Sequence, residues 1–244
     1  MRIVWLVLGL LSPVAESRQE EMEVLKGTEA VLQCEIPDIL KNEPEMLKSL
    51  HEKGFVTWMR EPRQILTRGF LVVSKSQQYS TYFPVSGDAI QLKISYVDPS
   101  NSGVYLCRIS MGDNVFSSRI RLKVLVESFV SDSQTLTLVV DEFSDLTAFC
   151  PIDGTPTPTV QWFFTKLGSQ KRLSLKDYLT YLQVHSDFGR KSPTGPSYVL
   201  IKNATRHLNG MLHCEGDNKI GLAKNYTFFT RIRCQSLISP HLSF

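Results

Sequence analysis

Apolar and polar positions alternate along much of the chain with the period of two that a strand with one buried face requires. Ala30, Leu32, Cys34 and Ile36 share a face in AVLQCEI, Ile90, Leu92 and Ile94 share one in IQLKIS, and Ile120, Leu122 and Val124 share one in RIRLKVLV. Arg119, Arg121 and Lys123 point the other way in the last of these. The second half repeats the arrangement, with Leu146, Ala148 and Cys150 followed by TVQWFF and YVLI. These runs predict an all-β protein made of two tandem sandwiches, and 244 residues suffice for two such cores of about a hundred residues each. The segment IPDILKNEPEMLKSLHEKGF departs from the period of two, because Ile39, Leu40, Met46, Leu47 and Leu50 stand in a Lys/Glu background at spacing that predicts a short amphipathic helical turn. Two uses are open to it: its apolar residues pack on the first sandwich, or the loop extends a binding surface.

Cysteine and tryptophan spacing repeats as well. Cys34 and Cys107 lie 73 residues apart with Trp58 between them, and Cys150 and Cys214 lie 64 apart with Trp162 between them. In a two-sheet sandwich such a pair can bridge the sheets across the core, with the tryptophan packed against the sulfurs. NSGVYLC adds Tyr105 two residues before Cys107, where a hydroxyl can bond back to the preceding turn and close the end of the sandwich. The corresponding position of the second half is Leu212, which has no hydroxyl, so a weaker corner is expected there.

The amino terminus carries Arg2, an apolar run from Ile3 to Leu11, Pro13, and small residues at Ala15 and Ser17, which is the anatomy of a secretory signal peptide over residues 1–17. No later stretch approaches the roughly twenty apolar residues of a membrane span. A secreted, extracellular protein is therefore expected, with domains at 18–126 and 127–233 and a tail at 234–244. Five cysteines in an oxidising compartment leave Cys234 over once two bridges form. It is either a link to another chain or a capped tail thiol. The 27 Lys and Arg against 24 Asp and Glu show no long basic run, so nucleic acid is not an expected partner.

Cys34, VTWMR, ILT, QLKI and NSGVYLC together resemble the variable-type immunoglobulin domain at the membrane-distal end of the lachesin, Dpr and DIP recognition proteins. CPIDGTPTPTVQW and IKNATRHLNGMLHCEGDNKIG resemble intermediate-type immunoglobulin domains, including those of fibroblast growth factor receptors. The pair behind a signal peptide is similar to the small two-immunoglobulin (zwei-Ig) proteins of nematodes. Asn101 stands where the family has an Asp, and Gln77 or Gln78 where it has the partner Arg. A neutral hydrogen bond can replace that ion pair.

The resemblance implies two tandem immunoglobulin-like Greek-key β-sandwiches, and protein recognition and adhesion through the C, C′, F and G strands of the first domain. Alternation turns Thr57, Met59, Leu106 and Arg108 outward on that face, with Arg119 and Arg121 beside them, an apolar centre with a guanidinium rim. The partner would be an extracellular or cell-surface protein, another immunoglobulin-domain protein or a second copy. Glycosylation acceptors occur at Asn203 and Asn225, both in the second domain. The alternative is a soluble growth-factor or cytokine receptor-like decoy, with Lys166, Lys171, Arg172, Lys176, Arg190 and Lys191 binding heparan sulfate. A third reading is a humoral protein that binds microbial surfaces. His51, His185, His207, His213 and His241 show no metal-ligand spacing, and no nucleophile or phosphate-loop motif occurs, so neither catalysis nor a cofactor is expected.

Overall fold

The computed structural model describes residues 20–84, 89–131 and 137–234. The signal-peptide reading and all of the tail beyond Cys234 lie outside these residues, as does part of the inter-domain segment. The chain divides between Val124 and Leu125 into two compact units.

The first unit contains β1 (Glu20–Leu25), β2 (Ala30–Cys34), α1 (Asp38–Lys41), α2 (Pro44–Glu52), β3 (Val56–Arg60), β4 (Gln64–Arg68), β5 (Leu71–Val72), β6 (Tyr79–Tyr82), β7 (Ile90–Ile94), β8 (Gly103–Met111) and the larger part of β9 (Asn114–Val130). One sheet has the order β1-β9-β8-β3-β4-β5 and the other β2-β7-β6. Their inner faces supply the alternating residues of the sequence: Leu32, Ile90, Leu92, Ile94, Ile109, Ile120 and Leu122 are all buried in one cluster. Cys34 is bridged to Cys107 across the sheets with Cα atoms 5.6 Å apart. Trp58 is paired in register with Cys107 and fully buried, which packs its indole beside the sulfurs.

Tyr105 is fully buried and its hydroxyl donates to the Asn101 carbonyl at 2.7 Å. Asn101 in turn accepts from the Asp98 amide at 2.8 Å and donates to Gln78 Oε1 at 3.4 Å, so a neutral pair spans the position where the family carries an ion pair. Tyr105→Phe leaves that buried carbonyl without its donor, and a loss of about 1–2 kcal/mol is expected in urea unfolding of the first unit.

The interval between Cys34 and Trp58 holds two short helices, α1 and α2, where its spacing predicts a helical turn. Pro44 starts α2 in the first turn, where its missing N–H costs nothing. Leu40 and Leu47 are buried in the sandwich core and Leu50 packs against it, while Ile39 and Met46 stay exposed. The insertion therefore packs on its own sandwich. His51, on the same helix, is fully buried with neither ring nitrogen hydrogen-bonded. Its ring meets Phe70 edge-on, with centroids 4.3 Å apart. Burial pushes its pKa down to about 4.

The second unit takes residues 125–130 of β9 and adds β10 (Thr137–Asp141), β11 (Leu146–Phe149), β12 (Ile152–Thr155), β13 (Thr159–Lys166), β14 (Arg172–Ser174), α3 (Leu175–Tyr181), β15 (Ser186–Arg190), β16 (Ser197–Ile201), β17 (Gly210–Asp217) and β18 (Lys224–Arg233). Its sheets run β10-β18-β17-β13-β14 and β11-β16-β15, with β12 pairing the end of β9. The strand β10 lies parallel to β18. Cys150 is bridged to Cys214 with Cα atoms 6.0 Å apart, and Trp162 is in register with Cys214, repeating the first unit's geometry. Leu212 is buried where the first unit has its tyrosine. The turn before it is held by other hydroxyls: Tyr178 donates to the His207 carbonyl at 3.0 Å, and Thr230 donates to the Leu208 and Gly210 carbonyls.

Candidate protein-binding face of the first domain

The outer face of the sheet β9-β8-β3-β4 carries the residues that alternation turns away from the core. Cross-strand register arranges them in rows. Ile65, Met59, Leu106 and Arg119 form one row, and Arg68, Thr57, Arg108 and Ser117 form the next. Thr57, Met59 and Leu106 are half-buried and Arg108 is exposed.

A bulge shapes the floor. Register slips between Trp58 and Met59, so β4 carries one extra residue, Leu66, which turns into the core. The slip brings Ile65 and Arg68, three positions apart, onto the same face. A groove of about 300 Å³ results, with Phe55, Met59 and Ile65 as its apolar walls and Thr57, Arg68, Arg108 and Ser110 completing it. Beyond β4 the edge of the sheet is apolar: Phe70, Leu71, Val72 and Val73 are all exposed, Leu71 by 67%. Four consecutive exposed apolar residues along a sheet edge depart from the ordinary scatter of surface hydrophobes.

The basic residues of the face divide into two groups. Arg119 forms an ion pair with Glu61, Arg121 lies 3.6 Å from Glu21, and Lys123 lies 2.5 Å from Glu23. The cations of β9 are thus answered by carboxylates of the same unit. Arg68 and Arg108 have no ion pair among the described residues. Arg108 and Arg119 are diagonal neighbours on this face, Arg119 and Arg121 carrying ion pairs, and Arg68, Phe55 and Ile65 line the groove together with Arg108. Arg60, also on β3, is committed inward, donating to the Ser100 and Ser102 carbonyls.

In the second unit Asn203 and Asn225 are both exposed, the first in a turn and the second on β18. Cys234 is exposed and unbridged. The six basic residues singled out there are not equally available. Arg172 is paired with Glu215 at 3.0 Å and stacked over the Phe163 ring at 3.9 Å, and Arg190 donates to the Pro158 and Gly195 carbonyls. Lys166, Lys171, Lys176 and Lys191 are exposed. His213 sits between Thr165 and Thr227, with its nitrogens 3.0 and 2.9 Å from their hydroxyls, and burial together with the Arg172 charge lowers its pKa. Among the described residues no group of three metal-ligating side chains occurs, and no helix is long and apolar enough to cross a membrane.

Residues 17–125 match the family model for the immunoglobulin V-set domain. The first unit is an immunoglobulin V-set domain. Lachesin of Drosophila melanogaster is 26% identical to the chain over 98 residues, 40% of this chain and 27% of lachesin. Limbic system-associated membrane protein of Rattus norvegicus is 24% identical over 209 residues, 84% of this chain and 50% of that protein. The chain thus spans about a quarter to a half of the length of these two relatives. A structure described as Dpr11 IG1 bound to DIP-gamma IG+IG2 aligns with a TM-score of 0.62 at 18% identity, covering 88% of this chain and 96% of the other. At that identity the likeness establishes the fold: two tandem immunoglobulin-like sandwiches, the first of V-set type.

Proposed function

We propose that the chain is a secreted recognition protein that binds another extracellular immunoglobulin-domain protein through the outer face of β4, β3, β8 and β9 in its V-set domain. The observation that carries this reading is the groove walled by Phe55, Met59 and Ile65, open to solvent beside the unpaired Arg68 and Arg108. Such a composition, apolar and aromatic at the centre with arginine around it, is that of protein interfaces. The binding of Dpr11 to DIP-gamma supports the kind of partner. Recognition of this type is strand-face packing and needs no chemistry at a reacting atom. Glycans on Asn203 and Asn225 would shield the second domain and leave the V-set face bare.

The test is a binding screen of the full chain, expressed through the secretory route, against a panel of immunoglobulin-domain ectodomains that includes the chain itself. Met59→Asp puts a carboxylate on the groove wall, and a partner's affinity should fall at least about a hundredfold, as for loss of an interface hot spot. Lys171→Glu in the second unit should leave it unchanged. A panel without a binder, or binding that survives Met59→Asp, contradicts the proposal.

A further inference from the structure

Arg68 and Arg108 also bear on which kind of partner the groove accepts, an inference that rests on the face being a docking surface. They flank Thr57 in one cross-strand row, on the two strands that neighbour β3, so their backbones stand about 10 Å apart at ~4.8 Å per strand. The residues lining the groove between them carry two guanidiniums and no carboxylate. Of the other cations on these strands, Arg119, Arg121 and Lys123 are matched by Glu61, Glu21 and Glu23, and Arg60 is held by the Ser100 and Ser102 carbonyls, which leaves Arg68 and Arg108 at the groove without an ion pair among the described residues.

Two copies of the chain meeting face to face about a two-fold axis that passes over Thr57 along β3 would bring Arg68 of each copy onto Arg108 of the other, and an axis along the cross-strand row would bring each arginine onto its own counterpart. Like charges brought together in a desolvated contact cost several kcal/mol and act as a device against the wrong partner. A guanidinium instead accepts a carboxylate in a paired, two-bond geometry. We propose that the groove docks a different protein and not a second copy: one that lays apolar side chains against Phe55, Met59 and Ile65 and sets Asp or Glu carboxylates against Arg68 and Arg108. The exposed apolar edge from Phe70 to Val73 lengthens the contact on the β5 side.

The chain can be made to supply the missing chemistry itself. Arg68→Glu with Arg108→Glu keeps the apolar walls and reverses the two charges, so this variant presents the proposed partner surface. Full-length wild type, the charge-reversed variant and their equimolar mixture are compared by sedimentation velocity, all carrying Cys234→Ser to remove disulfide-linked dimers. The expected result is two monomeric species that associate when mixed, at concentrations at least about tenfold below any self-association, with the complex weakened by salt. Thermal melts check that the variants are folded, and Arg108→Glu alone replaces the pair if its melting temperature falls.

A wild-type dimer abolished by Met59→Asp overturns the inference while leaving the docking face in place. A mixture that stays monomeric overturns the inference too, since apolar walls with facing carboxylates are then insufficient. Association of the mixture that survives Met59→Asp in both chains removes the docking face itself, and the inference with it.

Discussion

Replacing Cys34 and Cys107 with alanine is expected to lower the stability of the V-set domain by about 4 kcal/mol, the loop-closure entropy returned to the unfolded chain by cutting a bridge between residues 73 apart. The native side adds to the loss. Both cysteines lie in the core beside Trp58, and removing the sulfurs leaves a gap in the packing between the two sheets. Hydrogen exchange followed by mass spectrometry separates the two units within one chain. Amides of β8 that exchange only through unfolding of the V-set domain should exchange about a thousandfold faster, at 1.36 kcal/mol per factor of ten. Amides of β17, in a unit with its own bridge and core, should keep their wild-type rates. A change under tenfold in β8 would mean that packing alone holds the two sheets together.

Acidification is expected to weaken the same domain by about 3 kcal/mol through one residue. His51 is buried without a hydrogen-bond partner, and its pKa in the folded chain is pushed down to about 4 by burial, against about 6.5 in the unfolded chain. Because the folded value is the lower one, the unfolded state takes up the proton first. Stability is therefore intact above about pH 6.5, falls as the pH drops toward 4, and has lost the whole contribution below that. The cause is structural: Leu47 fixes one face of α2 in the core, and Phe70 closes over the imidazole. His51→Leu fills a comparable volume with nothing to protonate. Denaturant midpoints measured from pH 7 to pH 4 should fall steeply for wild type and much less for the variant; parallel curves would assign the acid sensitivity to other groups.

Much of the fold could be read from the chain because a strand with one buried face writes its orientation directly into alternate residues. Leu32, Ile90, Leu92, Ile94, Ile120 and Leu122 are all buried where that alternation puts them, and the neutral Asn101–Gln78 bond stands in for the missing ion pair. The candidate face was half legible. Thr57, Met59, Leu106 and Arg108 follow from alternation around Trp58 and Cys107, since β3 and β8 are regular there. Ile65 and Arg68 do not, because the extra residue Leu66 breaks the period on β4, and a bulge leaves no mark that alternation can recognise. The pairing of Arg119 with Glu61, and of Arg121 with Glu21, joins residues 58 and 100 positions apart and depends on strand order and register. The burial of His51 was hidden for a related reason: an amphipathic segment shows that a helix will bury one face, while the neighbour that closes over it, Phe70, comes from another hairpin.

Arg108→Asn tests the docking face most directly, because with Ile109 and Ser110 it creates a glycan acceptor at the margin of the groove. A glycan there blocks the face by bulk whatever the partner's chemistry, and Arg108→Gln removes the same charge without adding the acceptor. Both variants are secreted from the same cells as wild type, glycan occupancy is read from the intact mass, and binding is measured against the ectodomain identified for the wild-type chain. Occupation of the face predicts that the glycan-bearing variant loses binding altogether while Arg108→Gln is only weakened. Full binding by the glycan-bearing variant would contradict it and place the recognition surface elsewhere on the chain.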